Sequence, residues 1–429
     1  MAHVSFLFGV LTAILPTFPT HVDLRNIESH SWVSTVKSQQ GGTCWTHAAM
    51  ASIESNLMVT GAWTEAAESG EPNLAEYHLD WWNGFNQYNN PDIASTQGGL
   101  TVHNGGDYRV AAAYLSRGVG SVRDVDGQSY NPAPTMTAAG FHHFLVRDIE
   151  WLTDADRTAS ITRIKAALLD SGAVGTALAW GDAFYSSPFN SFYQPDSSAA
   201  APNHAVTIVG WDDNRVTQAP TPGAWLVKNS WGSAWGNQGY FWISYADKVA
   251  GHHHDMGGVA FKNVVPNSFS HIYNYDTHGW RDTHSSTRAF NAFKAEALEE
   301  LRAVSFYTTA TDTNATITVY QEFDGQKLFN AFTTVSRHYD NPGLHTADLD
   351  RPILLQAQTP FYVEISVNRG GQAYDKTSVV PVLLGGSARP LVESRALAGQ
   401  SYFHDGQRFR DLTKADGTAN FCIKALTVR

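Results

Sequence analysis

From Cys44 to Val59 the chain carries helix formers without a proline, and Ala49, Ile53 and Leu57 recur at four-residue spacing to give one apolar face. Gly41 and Gly42 allow a tight turn ahead of this helix, Thr43 is a good N-cap, and Gly61 stands where such a helix stops. A second helix is expected from its cap Asn73 to Trp82, and a third from Asp107 to Arg117, ended by Gly118. A fourth covers Thr158 to Ser171, with Ile161, Ile164, Ala167 and Leu168 on one face and Gly172 as its stop. Ala173 to Trp180, the β-branched run from His204 to Trp211, and Trp225 to Lys228 read as strands. Phe184 to Pro202, rich in Ser, Pro and Ala, is a linker, and Tyr88 to Gly99 is a polar loop.

From about residue 265 helical periodicity nearly vanishes, apart from an expected turn at Lys294 to Leu301. Alternating segments follow at turn-separated intervals: Ala303–Thr308, Thr316–Tyr320, Phe361–Val367, Val379–Leu384 and Asn420–Lys424. That spacing points to an antiparallel β-sandwich. The chain thus divides into an α+β domain over 21–262 and a sandwich over 263–429. With 429 residues, 43% of them hydrophobic and 12% aromatic, both domains can bury sizeable cores. The formal net charge of −11, without any Lys/Arg cluster, argues against a nucleic-acid partner. Two cysteines, Cys44 and Cys422, cannot supply a disulfide framework. Residues 1–20 stay open between two readings. The apolar run Val4–Leu15 has the length of a secretory signal core, yet no Lys or Arg precedes it and no Ala-x-Ala site follows, which suits an amino-terminal strand equally.

The chemistry starts at Cys44. In the first turn of a helix, the partial positive charge of the N-terminus favours a thiolate. A cysteine in a helix is by itself more often a small buried filler than a nucleophile. Two later stretches change its meaning. Asn203-His204-Ala205 puts a histidine at the start of a buried strand, and Lys228-Asn229-Ser230-Trp231-Gly232 puts an asparagine at the end of another, before a glycine-punctuated turn. Cysteine, histidine and asparagine in that order supply a nucleophile, its base and the base's orienting group.

These three segments together resemble the papain family of cysteine peptidases. The resemblance implies a two-lobed fold, helical on one side and barrel-like on the other, with the cleft between. It implies that Cys44 is the nucleophile, that His204 serves as general base and then acid, and that Asn229 holds the imidazole through its side-chain oxygen. Trp231 would cover that hydrogen bond. Gln39 would complete the oxyanion hole with the Cys44 backbone N–H, with Gln40 as the alternative, because the loop is one residue shorter than the family's. Asn104-Gly105-Gly106 would let the substrate backbone pair along the cleft wall. Gly41 and His103 stand where the family places cysteines, and His47, where it has phenylalanine, reads as filling a polar niche under the helix. In the second domain, Tyr273-Asn274-Tyr275-Asp276, Leu344 to Leu349, Gly399 to Gly406 and Asn420 to Ala425 resemble the lectin-like domain that follows the peptidase in a group of bacterial papain-like proteins.

The expected function is a thiol endopeptidase, secreted or at the cell surface, acting through an acyl-thioester on Cys44. The alternative is a binding or adhesion protein with an impaired peptidase-like domain. Expected partners are a protein or peptide substrate and, through the C-terminal domain, a cell-surface glycan or cell-wall component; a monomer is expected. No cofactor or metal is called for. The run Gly251-His252-His253-His254-Asp255 reads as an interdomain turn, since three adjacent histidines cannot converge on one ion. Trp280 could stack on a sugar, though an aromatic in a strand-rich domain is more often core.

Overall fold

The computed structural model describes residues 18–93, 98–382 and 389–429. The Val4–Leu15 run lies outside the described residues, and so does the end of the expected strand Val379–Leu384. Helix α1 spans Cys44–Thr60 and ends at Gly61, whose φ of 75° is the left-handed closure the sequence called for. Thr43 precedes it without capping it. The Thr43 hydroxyl donates instead to the Gln40 carbonyl 2.9 Å away, because the tight turn brings that acceptor nearer than the helix N–H groups. Helix α2, Glu76–Trp82, begins later than expected: Asn73 is not its cap but gives its carbonyl to the Asp124 N–H at 2.8 Å. Helix α3, Tyr108–Ser116, is capped by Asp107, whose carboxylate accepts the Val110 N–H at 2.7 Å. Helix α4, Arg157–Ser171, is capped in the same way by Asp156.

Strands β1 (Phe144–Trp151), β2 (Val174–Leu178), β3 (His204–Asp212), β4 (Ala224–Lys228), β5 (Tyr240–Ser244) and β6 (Val259–Pro266) make the sheet lobe, in spatial order β1-β6-β2-β3-β4-β5. Trp211, Trp225 and Phe241 fill its core. The second domain contributes β7 (Arg288–Lys294), β8 (Glu299–Thr308), β9 (Thr313–Phe323), β10 (Leu328–Tyr339), β11 (Gly343–Leu355), β12 (Pro360–Val367), β13 (Ser401–His404), β14 (Phe409–Asp411) and β15 (Ile423–Val428). One sheet, β10-β9-β12-β7-β13-β14, packs over β15-β8-β11. Ile317, Val319, Phe361, Val363 and Ile365 lie in the sandwich core between them. The helical turn expected at Lys294–Leu301 is absent. Lys294 closes β7 and Glu299 opens β8, so strand pairing on both sides overrides the local helix formers.

The two domains share one sheet. β11 pairs with β1 at Gly343↔Glu150 and Leu344↔Ile149, so the sandwich sheet runs on into the sheet lobe. They also share a core: Tyr307, Ala373, Val392 and Cys422 belong to the same buried cluster as Trp45, Phe85 and Leu115. Across this junction Arg117 donates to the Thr277 carbonyl, while holding the Asn83 carbonyl of its own domain at 2.9 Å, and on the sandwich side Lys424 pairs with Asp276, both fully buried. Gly343 has a φ of 154°, and a Cβ there would collide with the Ile149 carbonyl and stand 2.9 Å from the Glu150 Cα. Gly343→Ala is therefore expected to cost about 2 kcal/mol or more, read by denaturant unfolding, because backbone on both sides leaves nowhere for the methyl to go.

Candidate active site

Helix α1 places Cys44 at its first residue, fully buried, where the Ala205 N–H points at Sγ from 3.3 Å. Ala205 follows His204 on β3. Because β3 pairs with β4 through Thr207↔Lys228, Asn229, just past the end of β4, comes to rest beside His204. The His204 Nε2 lies 2.8 Å from the Asn229 Oδ1, which fixes the ring as the Nε2–H tautomer and leaves Nδ1 for the thiol side. The same Oδ1 accepts the Ser230 N–H at 2.9 Å. The Trp231 ring stacks on His204 with centroids 4.5 Å apart and planes 22° apart, and is held edge-on by Trp180 and Trp235. This aromatic roof keeps water from the His204–Asn229 bond.

Gln39 belongs to the same turn. Its N–H donates to the Ser230 carbonyl at 2.8 Å, its Oε1 accepts the Ser230 hydroxyl at 2.6 Å, and its Nε2 donates to the Gly41 carbonyl at 2.9 Å. Gln40 is exposed, and its backbone meets the Tyr77 hydroxyl and the Thr43 side chain. Asn104 bridges to Gly42 beside the nucleophile loop and is exposed, whereas Gly105 and Gly106 are buried. Gly106 has no room for a side chain, since a Cβ there would lie 2.6 Å from the Trp45 ring.

A cluster that sequence reasoning did not assemble fastens these two loops. His103 sits at φ 65°, gives its carbonyl to the Gly42 N–H at 2.7 Å, and meets Asp80 through both its backbone N–H (2.9 Å) and Nδ1 (2.6 Å). Tyr130 stacks on the imidazole at 3.7 Å. Burial pushes the Asp80 carboxyl up, and the bonds from His103 oppose that push. The substitution of His103 for a cysteine was the visible signal; its partners Asp80 and Tyr130 are too distant in sequence to be read from it. His103→Gly keeps the backbone angle and removes the latch. It is expected to raise KM about tenfold with a smaller change in kcat, measured on a peptide substrate at constant pH.

Under α1 lies a buried charged chain. Lys37 sits between Glu54 (2.8 Å) and Glu76 (2.6 Å), the Ser34 hydroxyl donates to Glu54 at 2.5 Å, and Lys228 donates to Ser34 at 2.8 Å. Burial pulls the Lys37 ammonium down, but the two carboxylates outweigh it and hold it up. Lys228, without a carboxylate of its own, is lowered by burial to about 8. His47 fills the polar niche beside this chain, its Nδ1 at 2.8 Å from the Thr43 carbonyl and its ring edge-on to Tyr77.

Burial raises the Cys44 thiol to about 12, against the pull of the Ala205 and Trp45 N–H groups. It lowers the His204 imidazole to about 4, against the hydrogen bond to Asn229. Either group charged alone would be an isolated ion in a closed site. Between those limits the pair therefore holds one proton. Thiol–imidazole and thiolate–imidazolium share that proton count and differ only in where the proton sits.

Among the described residues, Asp92, His278 and Asp375 bring possible ligand atoms within 4.8 Å of one another. The His278 nitrogens are already engaged, by the Ser394 hydroxyl at 2.7 Å and the Gly84 carbonyl at 3.0 Å, so the cluster knits the domain junction. The three adjacent histidines diverge: His252 meets the Tyr245 carbonyl at 2.8 Å, while the His254 side chain is 86% exposed. The neighbouring Asp255 pairs with Arg109 at 2.8 Å, and that guanidinium lies over Trp280 at 4.3 Å. Trp280 is thus half-buried at the junction and not a free stacking platform.

A helical lobe and a sheet lobe that meet at a thiol, an imidazole and a carboxamide define the papain-like class of fold. The chain belongs to the papain family of cysteine proteases, whose family model matches residues 18–260. A lectin-like domain model matches residues 272–427. Bovine (Bos taurus) pro-cathepsin H is 26% identical over 237 residues, covering 54% of this chain and 62% of that protein. Cysteine proteinase A of Leishmania mexicana is 26% identical over 212 residues, covering 48% of this chain and 51% of its own. The chain therefore spans only about half to six-tenths of these relatives' lengths. A structure of the clostridial cysteine protease Cwp84 after propeptide cleavage superposes with a TM-score of 0.73 at 24% identity, over 92% of this chain and 97% of that one. A second structure, of the cysteine protease and lectin-like domains of Cwp84, a surface layer associated protein of Clostridium difficile, gives 0.73 at 23% identity, over 96% and 89%. The likeness extends through both domains and shows a shared fold.

Proposed function

We propose that this protein is a thiol endopeptidase that acts outside the cell or at its surface, with its peptidase domain over 21–262 and its sandwich over 263–429. The observation that carries the reading is His204, bonded to Asn229 on one side, roofed by Trp231 and set against the Cys44 loop on the other. In the reaction, Nδ1 of His204 takes the thiol proton as Sγ attacks the peptide carbonyl. The oxyanion is held by the Cys44 N–H and the Gln39 amide. His204 returns the proton to the leaving amine, an acyl-thioester remains on Cys44, and water hydrolyses it with His204 again as base. The substrate backbone lies along Asn104-Gly105-Gly106. Through the second domain the protein engages a surface glycan or cell-wall component, and it acts as a monomer. The surface location draws support from the shared two-domain fold of Cwp84, which is associated with a bacterial surface layer.

A second reading, a binding protein with a dormant peptidase fold, draws on two observations. Cys44 is sealed, and one Gln39 N–H is spent on Gly41. One measurement separates them: the pH dependence of Cys44 alkylation, in a Cys422→Ser background, with and without His204→Ala. The shared proton supplies thiolate without a change in proton count, so reactivity is expected to persist far below pH 7 and to decline only towards the acid limit near 4. His204→Ala is expected to abolish it. Labelling only near the ordinary thiol range, about 8.5, or indifference to His204→Ala, removes the peptidase reading.

A further inference from the structure

On β12 the side chains of Phe361, Val363 and Ile365 enter the sandwich core, so those of Tyr362 and Glu364 point to the opposite, outer face of the sheet. The neighbouring strands put aromatic residues on that same face. Phe290 of β7 stacks on Tyr402 of β13 with centroids 4.7 Å apart and planes 10° apart, and meets Tyr362 edge-on at 5.8 Å. Phe323, at the end of β9, closes on Tyr402 at 4.9 Å and on Tyr362 at 5.9 Å. Phe290 is fully buried although it faces away from the core, so it is the floor of a platform whose upper rings stay partly open. Phe409 is buried against Phe290 at 4.8 Å, so burial accounts for the lower rings, whereas Tyr362, Tyr402 and Phe323 above them keep part of their surface open.

Beside this platform, at the β9–β10 hairpin, lies an open cavity of about 500 Å3. Its apolar walls are Phe323, Phe329 and Tyr362, with Phe329 41% exposed; its polar lining is Gln321, Glu322 and Asp324. The Asp324 Oδ1 is occupied by the Gln326 and Lys327 N–H groups, and the Glu322 Oε1 by Asn330, which leaves the second oxygen of each carboxylate without a partner in those bonds. Among the described residues, no lysine, arginine or histidine side chain lines the cavity.

We propose that this cavity binds the pyranose rings of a glycan that carries no acidic groups. Ring faces on one wall suit the C–H face of a sugar, and carboxylate and amide oxygens on the other suit its hydroxyl or ammonium donors. The two carboxylates disfavour uronic or sialic acids, because like-charge juxtaposition is costly in a partly desolvated site. A peptide is a poorer match, because its carbonyls need donors and the polar lining is dominated by acceptors. The inference deepens the proposed partnership of the second domain with a surface glycan and is independent of the peptidase chemistry.

The test is isothermal titration calorimetry on the full chain. The probes are soluble oligomers of glucosamine (the amino arm), of N-acetylglucosamine and of glucose (the neutral arms), and of galacturonic acid (the acidic control). At least one non-acidic oligomer is expected to bind and the acidic one not to. Phe329→Ala, an exposed position whose loss leaves the fold intact, is expected to weaken binding about tenfold or more. Glu322→Gln is expected to weaken the amino arm more than the neutral arms. Melting temperature and Cys44 alkylation should be unchanged in both variants. If Phe329→Ala and Glu322→Gln bind like the parent, the site is wrong while glycan binding by the domain stands. If no oligomer binds the parent, both fall, and tighter binding of the acidic oligomer overturns the charge argument.

Discussion

His204→Ala is expected to lower kcat/KM on a peptide substrate by on the order of 10⁴-fold, while Asn229→Ala lowers it by only about 10- to 100-fold. The asymmetry follows from how the imidazole is held. In the proposed mechanism His204 moves the thiol proton, so its loss would remove both the activation of Sγ and the delivery of a proton to the leaving amine. Asn229 selects the Nε2–H tautomer and restrains the ring, but the Trp231 stack and the start of β3 still restrain it when Asn229 is gone. Steady-state kinetics with active-site titration would decide. Equal and small losses from both substitutions would mean that His204 does not transfer the proton.

The second large effect is on stability. Lys424→Met is expected to cost about 3–5 kcal/mol, because it strands the Asp276 carboxylate in a core from which water is excluded. Burial already pushes that carboxyl up, against the opposing pull of Lys424, and its Oδ1 has no hydrogen-bond partner among the described residues. The double change Lys424→Met with Asp276→Leu removes the stranded charge and is expected to recover most of the loss. Denaturant unfolding followed by tryptophan fluorescence measures both. Because the pair lies in the core the domains share, protection of Cys44 from alkylation should disappear in the same transition. A separate early transition of the sandwich, with Cys44 still protected, would contradict this.

The Cys-His-Asn constellation was legible from sequence because each member sits at the boundary of an element with a strong local signature. Cys44 follows a Gly-Gly turn into a long helix, His204 opens a β-branched run, and Asn229 precedes Trp231 and a glycine turn. The helix stops at Gly61, Gly118 and Gly172 were legible for the same local reason. The caps were less so: Thr43 and Asn73 have capping side chains, yet each follows a turn that gives it a different partner. In the sandwich the longest strands were the hardest to read. β10 is an edge strand with few buried residues, so no alternation marks it, and β11 carries Pro352 within its span. The Asp80–His103–Tyr130 latch and the cross-domain pairing of β11 with β1 are contacts between distant segments and have no local pattern. The outer aromatic face needed the register of β7, β12 and β13 before its residues could be seen as neighbours.

The strand pairing at Gly343 and Leu344 bears on how this protein survives in the company of proteases. A cut in the short connection between β6 and the sandwich would sever one covalent link and leave the shared sheet, the common core and the bond from Arg117 to the Thr277 carbonyl in place. The two fragments would migrate apart on a denaturing gel and stay together in native solution, still presenting one cleft. To shed the second domain, the molecule would have to expose the edge of β1 and the apolar surface behind it, which invites aggregation. Nicking at that seam is therefore a scar and not a release mechanism.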